Sequence, residues 1–580
     1  MLTFKELKKY SKANIEGTEY KIAVLGNVAT QLLSLGIKGY LKSEGINASV
    51  FDADYNQIEA QLISEHSETY EFNPNVILLY IATDKLYEEF LDLSLTDRSQ
   101  FADIYLNKIK TYWDLICKNT SAKIIQTNFT EIDDKAFGNY SSKVAEAFIY
   151  QIRKLNYLLE EEMSKRNDVY PLDLLSIQIK MGLNEFYDTV LYYSSKMSVT
   201  LDAICYISKN VTDIIKTYNG KIKKAIILDL DNTLWGGVIG DDGLGGIEIG
   251  ELGSGHVFSD FQRWLKQLKD RGILLCVCSK NEEDIAKEPF IKHEEMILKL
   301  EDFSMFVANW EDKASNIRNI QKNLNIGMDS IVFIDDNPFE RNLVRELIKD
   351  ITVPELPSDP ANYLTFLQSE NLFETASFSD DDKVRTNQYQ AEIKRKNLEL
   401  EFTSIDEYLN NLEMKASVDA FTPVRYARIA QLTQRSNQFN LRTVRYTESD
   451  IERIANDDKY ITMYFTLKDK FGDHGLVSVV ILEKTSEEEA FIDTWLMSCR
   501  VLKRSMEEFI VNSIIKKASE SGIKIINAEY IKTQKNNMVK DIYKTMGFSE
   551  KEAKDTSDST NYELNIKDYI AKKTFITEGN

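Results

Sequence analysis

The chain has 580 residues, of which 43% are hydrophobic and 11% aromatic, so it is too rich in core material to be disordered and too long for one core. At roughly one domain per 100–200 residues, three to five units are expected. With 71 Lys and Arg against 92 Asp and Glu the net charge is −21, a field that repels nucleic-acid phosphates and anionic membrane surfaces.

The opening segment, MLTFKELKKYSKANIEG, lacks the uncharged apolar stretch of a signal peptide, and no window approaches a membrane span. Five scattered cysteines, Cys117, Cys205, Cys276, Cys278 and Cys499, show no zinc spacing. Together these features predict a reduced, soluble, cytoplasmic protein without nucleic-acid or membrane partners. Oligomeric state is not legible.

In chain order, KIAVLG from Lys21, ASVFDA from Ala48, VILLYIA from Val76 and AKIIQTNF from Ala122 read as strands with helical spacing between them. This alternation predicts a doubly wound parallel α/β layer. Residues from about 139 to 220 read as mostly helical, with Pro171 breaking the run. A second α/β domain starts at KKAIILDLDNTLW, with strands Ala225–Leu230, Ile273–Ser279, Met305–Ala308, Ile331–Asp335 and Ile351–Val353. The run VPELPSDP holds three of the eight prolines and marks that domain's end. Beyond it, TMYFTLKD, LVSVVILEK and EAFIDTWLM alternate with helices and predict an α+β unit with an antiparallel sheet. The expected division is 1–219, 220–365 and 366–580, an α/β multidomain chain.

The chemistry concentrates in the middle domain. Asp229 and Asp231 alternate onto one side of the chain where an apolar strand ends, and in parallel sheets that end binds ligands. Two carboxylates there can divide labour, one attacking phosphorus and the other moving the leaving-group proton. Ser279 ends the second strand and can donate to a phosphoryl oxygen. Lys313 can neutralise phosphoryl charge, and Asp335 and Asp336 offer hard oxygen ligands for Mg²⁺, with Glu340 close behind.

This ordered set resembles the four motifs of the haloacid dehalogenase superfamily. The resemblance implies Asp229 as nucleophile and Asp231 as general acid/base. It implies phosphate positioning by Thr233, Ser279 and Lys313, and Mg²⁺ held by Asp229, Asp231, Asp335 and Asp336. The short spacings between motifs leave no room for a large lid. Trp235-Gly236-Gly237 and GDDGLGG suggest a small flap, and so an open site suited to a bulky or tethered substrate.

LDLDNTLWGGVIGDDG, CVCSKN, FIDDNPFERNLV, RSNQFNLRTVRY, KFGDHGLV and SCRVLKRSMEEFIV together resemble the FkbH-like proteins. There a haloacid dehalogenase domain precedes an acetyltransferase-like domain of the GCN5-related (GNAT) fold, after a more variable first domain like that of SGNH hydrolases. The resemblance implies a glyceryltransferase/phosphatase. It would take the acyl phosphate 1,3-bisphosphoglycerate, release phosphate and leave a glyceryl thioester on a phosphopantetheinylated acyl carrier protein, for polyketide and related pathways. Two other readings stand beside it, a plain phosphatase on a small phosphorylated metabolite and a non-enzymatic carrier-protein adaptor.

Cys278, next to Ser279, is a candidate thiol nucleophile for such a transfer. The competing reading is a small buried hydrophobe, and strand alternation, which sets Cys278 opposite Ser279, favours that one. WLMSCRVLKRSMEEFIV resembles the strand-to-helix crossing that holds coenzyme A pyrophosphate in acetyltransferases, and Asn537, Tyr543 and Gly547-Phe548 resemble their closing segment. Arg500 to Met506 contains no glycine, which argues against ordinary acetyl-CoA-dependent transfer. Residues 421–447 hold Arg425, Arg428, Arg435, Arg442 and Arg445. Arg435, Asn437, Arg500 and Arg504 are therefore candidates for binding the carrier or its pantetheine arm, against the alternative that these arginines are solvated or paired within the chain. Cys499 and His474 nearby read as structural. The first domain has Gly26-Asn27-Val28 where an SGNH hydrolase needs Gly-Asp-Ser, and no Asp-x-x-His follows, so it is expected to be catalytically silent.

Overall fold

The computed structural model describes residues 1–579 apart from 133, 379, 400, 401, 403 and 552–558. Two compact units result, Met1–Ile215 and Lys216–Asn580, rather than the three domains expected.

Unit 1 is a five-stranded parallel sheet of β1 (Tyr20–Gly26), β2 (Ala48–Asp52), β3 (Val76–Tyr80), β4 (Lys123–Thr127) and β5 (Val169–Leu172), in the order β2-β1-β3-β4-β5. Every residue of β3 is buried, as a strand covered on both faces requires. The four expected strands are present. The fifth, VYPL, lies inside the stretch read as helical, where Pro171 suggested a break. Pro171 lacks an N–H, but β5 is an edge strand with a partner on one side only, where proline is tolerated.

Unit 2 holds two sheets. The first has β6 (Ala225–Leu228), β7 (Leu274–Ser279), β8 (Phe303–Ala308) and β9 (Ile331–Ile334), all parallel in the order β8-β7-β6-β9. The expected fifth strand shrinks to one bridge, Val332 to Thr352.

The second sheet, largely antiparallel, is built from β10 (Lys415–Asp419), β11 (Phe439–Asn440), β12 (Tyr460–Asp469), β13 (Gly472–Lys484), β14 (Glu489–Met497), β15 (Ile525–Ile531), β16 (Ser549–Glu550), β17 (Ser559–Asn565) and β18 (Thr577–Glu578). Here β14 and β15 run parallel and pair only from Glu489–Ile492 to Ile525–Ala528. Where they diverge, residues 439–441 enter: β11 pairs with β14, and Leu441 takes an N–H bond from Ile531.

The boundary near residue 365 does not divide unit 2. Tyr363, Leu367 and Phe373 belong to the core of the first sheet. Tyr389, on the helix Arg385–Glu399, packs in the layer under β6, β7 and β9. That helix also joins the second sheet through Arg395, which grips buried Asp469 by two bonds of 2.6 and 2.7 Å. Proline-rich loops mark where the chain turns, and packing decides where a unit ends. Among the described residues no helix is long and apolar enough to cross a membrane.

Candidate active site

The carboxyl ends of β6, β7 and β9 bring the motifs together. Past Leu228 the chain leaves the sheet, with Asp229 N–H bonded to the Ile334 carbonyl at 3.0 Å. It then turns sharply at Asn232, whose φ of 55° lies in the left-handed region that asparagine tolerates. The Asn232 side chain accepts the Gly237 N–H at 3.0 Å, locking the turn. Buried Thr233 accepts the Asp336 N–H at 3.1 Å and so ties the β9 loop to the β6 loop.

Carboxylate oxygens of Asp229, Asp335 and Asp336 lie within 4.8 Å of one another. Buried Lys313, at the start of the helix Lys313–Leu324, places Nζ 2.9 Å from Asp229 Oδ1 and 2.5 Å from Asp335 Oδ2. Its ammonium is held charged by these two carboxylates in spite of burial, well above the ordinary lysine range. Burial and the Asp229 charge push the Asp335 carboxyl up, against Lys313. Burial pushes Asp336 up to about 6. Carboxylates that are hard to ionise together in a dry site form an oxygen-only set suited to a hard divalent cation. The three residues therefore fit Mg²⁺.

Asp231 stands apart from that cluster. Its Oδ1 accepts from Trp235 Nε1 at 3.0 Å and the Ile239 N–H at 2.9 Å, and its Oδ2 from Asn281 Nδ2 at 2.8 Å. The expectation that its carboxylate joins the metal site is corrected here, since Asp231 lies outside the group of carboxylates that could hold an ion and these three donors orient its oxygens. Asn281 also donates to Ser279 Oγ at 3.2 Å, linking the β7 end to Asp231. Asn281 and Trp235 were not singled out for these roles from sequence. The only signal was their position, two residues past Ser279 and four past Asp231. Arg341 was missed as well; its Nη1 donates to the carbonyls of Asp335 at 2.9 Å and Asp336 at 2.6 Å. Glu340 is buried and takes a 2.6 Å bond from Lys280 Nζ.

Cys278 is also corrected. It is fully buried in the layer beneath the helix Lys313–Leu324, its thiol 3.8 Å from the Lys313 carbonyl. Burial pushes that thiol up to about 12, far from the thiolate a nucleophile needs. Alternation decides the matter, because Cys276 and Cys278 share the packed face of β7.

The carrier-binding candidates are mostly internal. Arg504 is buried, paired with Glu392 and 3.3 Å from His474 Nε2. Arg500 is buried beside the Tyr389 ring and donates to Gln388. Arg435 pairs with buried Asp382 at 2.6 Å, Asn437 accepts from Arg445, and Arg442 pairs with Asp493 at 2.9 Å and Glu529 at 3.0 Å. Arg435, Arg442 and Arg504 are ion-paired within the chain, and burial removes Arg504 from a surface site, whereas among the described residues Arg500 bonds only to neutral partners. The glycine-free crossing reaches left-handed backbone at Lys503 and Ser505, with φ of 61° and 55°. Of the closing-segment residues, Tyr543 is buried. Asn536, next to the expected Asn537, makes the bridging bonds to the Asn440 and Ile531 carbonyls, at 2.9 Å each.

Residues 21–216 match the family described as FkbH, N-terminal domain. The N-terminal part of the protein BF1531 from Bacteroides fragilis, described as containing a phosphatase domain and complexed with Mg, is 45% identical; the match covers 65% of this chain and all of that one, with a TM-score of 0.63. The chain belongs to the FkbH-like proteins.

Two acetyltransferases resemble only a portion of the chain. The ribosomal-protein-S18-alanine N-acetyltransferase of Escherichia coli is 14% identical over 26% of this chain and 94% of its own, with a TM-score of 0.21. The spermidine N-acetyltransferase of Vibrio cholerae is 12% identical over 27% and 98%, also at 0.21. No curated protein matches the chain.

Proposed function

We propose that unit 2 is a Mg²⁺-dependent phosphatase of the haloacid dehalogenase type, serving the glyceryl-loading reaction of FkbH-like proteins. The observation that carries this reading is the division between the two motif aspartates. Asp229 lies in the three-carboxylate cluster beside Lys313, while Asp231 is held outside it by three donors.

Asp229, Asp335 and Asp336 would hold the ion. Bound there, Mg²⁺ supplies Lewis-acid polarisation of the phosphoryl group and shielding of charge between nucleophile and phosphate. An Asp229 oxygen attacks phosphorus, the bond from phosphorus to the leaving oxygen breaks, and a proton delivered through Asp231 completes the leaving alcohol or acid. Water, giving its proton to Asp231, then attacks the phosphorus of the aspartyl phosphate, releasing inorganic phosphate and restoring the Asp229 carboxylate. Trp235, the Ile239 N–H and Asn281 fix the direction in which Asp231 presents its oxygens. Lys313 offsets the charge of the attacking carboxylate and the transferred group.

Between β6 and the helix Gly255–Asp270 the chain forms only the helical turn Ile239–Asp242 and two isolated bridges, Asp231 to Trp235 and Gly236 to Glu248, too little to make a lid domain. Trp310, just past β8, and Phe339, just past β9, are 71% and 68% exposed. An open rim with exposed aromatics supports a tethered substrate over a small enclosed one.

The transfer half of the reading rests on the family. The donor is 1,3-bisphosphoglycerate or a similar acyl phosphate, and the acceptor is the phosphopantetheine thiol of an acyl carrier protein. Cys278 has no part in it. The test is intact-mass spectrometry after incubation with Mg²⁺, freshly generated 1,3-bisphosphoglycerate and a phosphopantetheinylated carrier. A glyceryl-sized gain on the carrier, absent with Asp229→Asn and retained with Cys278→Ala, is expected. Phosphate release without any gain on the carrier would reduce the function to a phosphatase.

A further inference from the structure

Unit 2 contains a second polar cavity, of about 240 Å³, between its two sheets. It opens at the amino end of β6, where Lys224 precedes the strand, and beside residues 325–330, which lead into β9. Asp229 lies at the other end of the same strand. Five residues at about 3.3 Å each put the two sites roughly 17 Å apart along the backbone, so this cavity is separate from the phosphoryl centre.

Its lining is strongly basic. Lys224, Arg385, Arg428, Arg435, Arg500 and Lys535 face one acidic residue, Asp329, among the described residues that line it. Asp329 is paired with Lys535, and Asp382, just behind the wall, is shared by Arg385 and Arg435. Lys224 and Arg500 are left with neutral partners. Lys224 Nζ donates to the Arg435 carbonyl at 2.8 Å. Arg500 donates to the Gln388 side chain, to Ser498 Oγ at 3.3 Å and to the His474 carbonyl at 3.4 Å.

A cation taken from water without a counter-charge is costly, and the cost shows in Lys224, which burial pushes down to about 8. A chain of net charge −21 that collects six cations around one cavity has made the surroundings an anion needs. Two unpaired cations match a dianion better than a single carboxylate. Cys499 also lines the cavity, fixed there by Asn325 Nδ2 donating to its carbonyl at 2.9 Å.

We propose that this cavity binds a phosphate monoester dianion, with Lys224 and Arg500 as its principal counter-charges. Its place in acyl transfer, as the seat of the donor's phosphate or of the phosphate end of the pantetheine arm, rests on the function proposed above; the binding itself rests on the lining alone.

Isothermal titration calorimetry on the full chain in EDTA, at fixed ionic strength, tests it with inorganic phosphate, 4′-phosphopantetheine and neutral pantetheine as probes. Lys313→Met in the background silences the phosphoryl centre. Lys224→Met is expected to weaken phosphate binding at least tenfold in that background, and Lys224→Arg to restore most of it. If Lys224→Met fails to fold, as judged by its melting curve, the Lys224→Arg protein compared with phosphate and pantetheine still decides. In parallel, Mg²⁺-dependent hydrolysis of p-nitrophenyl phosphate by Lys224→Met on the native background should stay within about twofold, which separates this site from Asp229. Tighter binding of phosphopantetheine than of phosphate assigns the cavity to the carrier arm, and equal binding assigns it to a free or donor phosphate. Pantetheine binding as well as phosphopantetheine, or an unchanged phosphate affinity in a folded Lys224→Met, overturns the proposal.

Discussion

Lys313 is the most demanding element of the phosphoryl centre, and its removal has a magnitude that the structure fixes. Its Nζ lies within 2.9 Å of both Asp229 and Asp335, and Lys313 and Asp335 are 3% and 0% exposed. Lys313→Met keeps the side-chain volume and deletes the charge, leaving three clustered carboxylates with no cation among them. Breaking a buried pair in this way costs about 3–5 kcal/mol. At roughly 2 °C per kcal/mol for a large unit, its Tm should fall by about 6–10 °C in EDTA at pH 8.

The sign of the pH dependence follows from Asp335 and Asp336. Both are raised in the folded state, Asp336 to about 6. Their relative contribution is present at low pH and is lost as pH rises through that value. Losing Lys313 raises them further, so the deficit should shrink at pH 5.5, where protons take the place of the ammonium. Mg²⁺ at pH 8 should restore more Tm to Lys313→Met than it adds to the native chain, because the ion replaces the missing charge. The assay is differential scanning calorimetry with and without Mg²⁺. A Tm within about 2 °C of native at pH 8 in EDTA, or an equal deficit at both pH values, would refute the reasoning.

Asn281→Ala removes one of the three donors on Asp231, a loss of about 1–2 kcal/mol of orientation, so kcat should fall about tenfold with little change in KM. A matched rise in KM would show that Asn281 acts on substrate instead. Asn232→Ala at φ 55° should cost about 1–2 kcal/mol in urea unfolding, and Asn232→Gly should cost less than Asn232→Ala. Phosphate affinity at the second cavity should decline as pH rises through about 8, as Lys224 loses its proton. Burial is the main cause of that value, with Arg435 and Arg385 lowering it further and Cys499 and Asp329 opposing them, and a flat calorimetric profile from pH 6.5 to 9 would count against it.

The ordered motifs placed Asp229, Ser279, Lys313 and Asp335 at one end of a parallel sheet because strand ends and residue spacing are local properties, readable at period 2. The four strands of the first sheet and the long antiparallel strands near the carboxyl terminus were legible for the same reason. VYPL was not, because whether a proline is tolerated depends on which edge of the sheet its strand occupies. Alternation already set Cys278 against Ser279, but only the helix Lys313–Leu324 lying over that face shows the thiol sealed from the site.

The division of Asp231 from the carboxylate cluster depended on the fold of its own loop, which brings Trp235 and the Ile239 N–H back to it, and on Asn281 arriving from the end of β7. In sequence the arginines of residues 421–447 read equally as a docking surface or as internally paired, because the partners of Arg435 and Arg442, namely Asp382, Asp493 and Glu529, lie far along the chain. Composition and spacing thus determined the layers and the phosphoryl motifs, whereas charge pairing, burial and the basic cavity are sums over distant residues, settled only when the two sheets of unit 2 pack together.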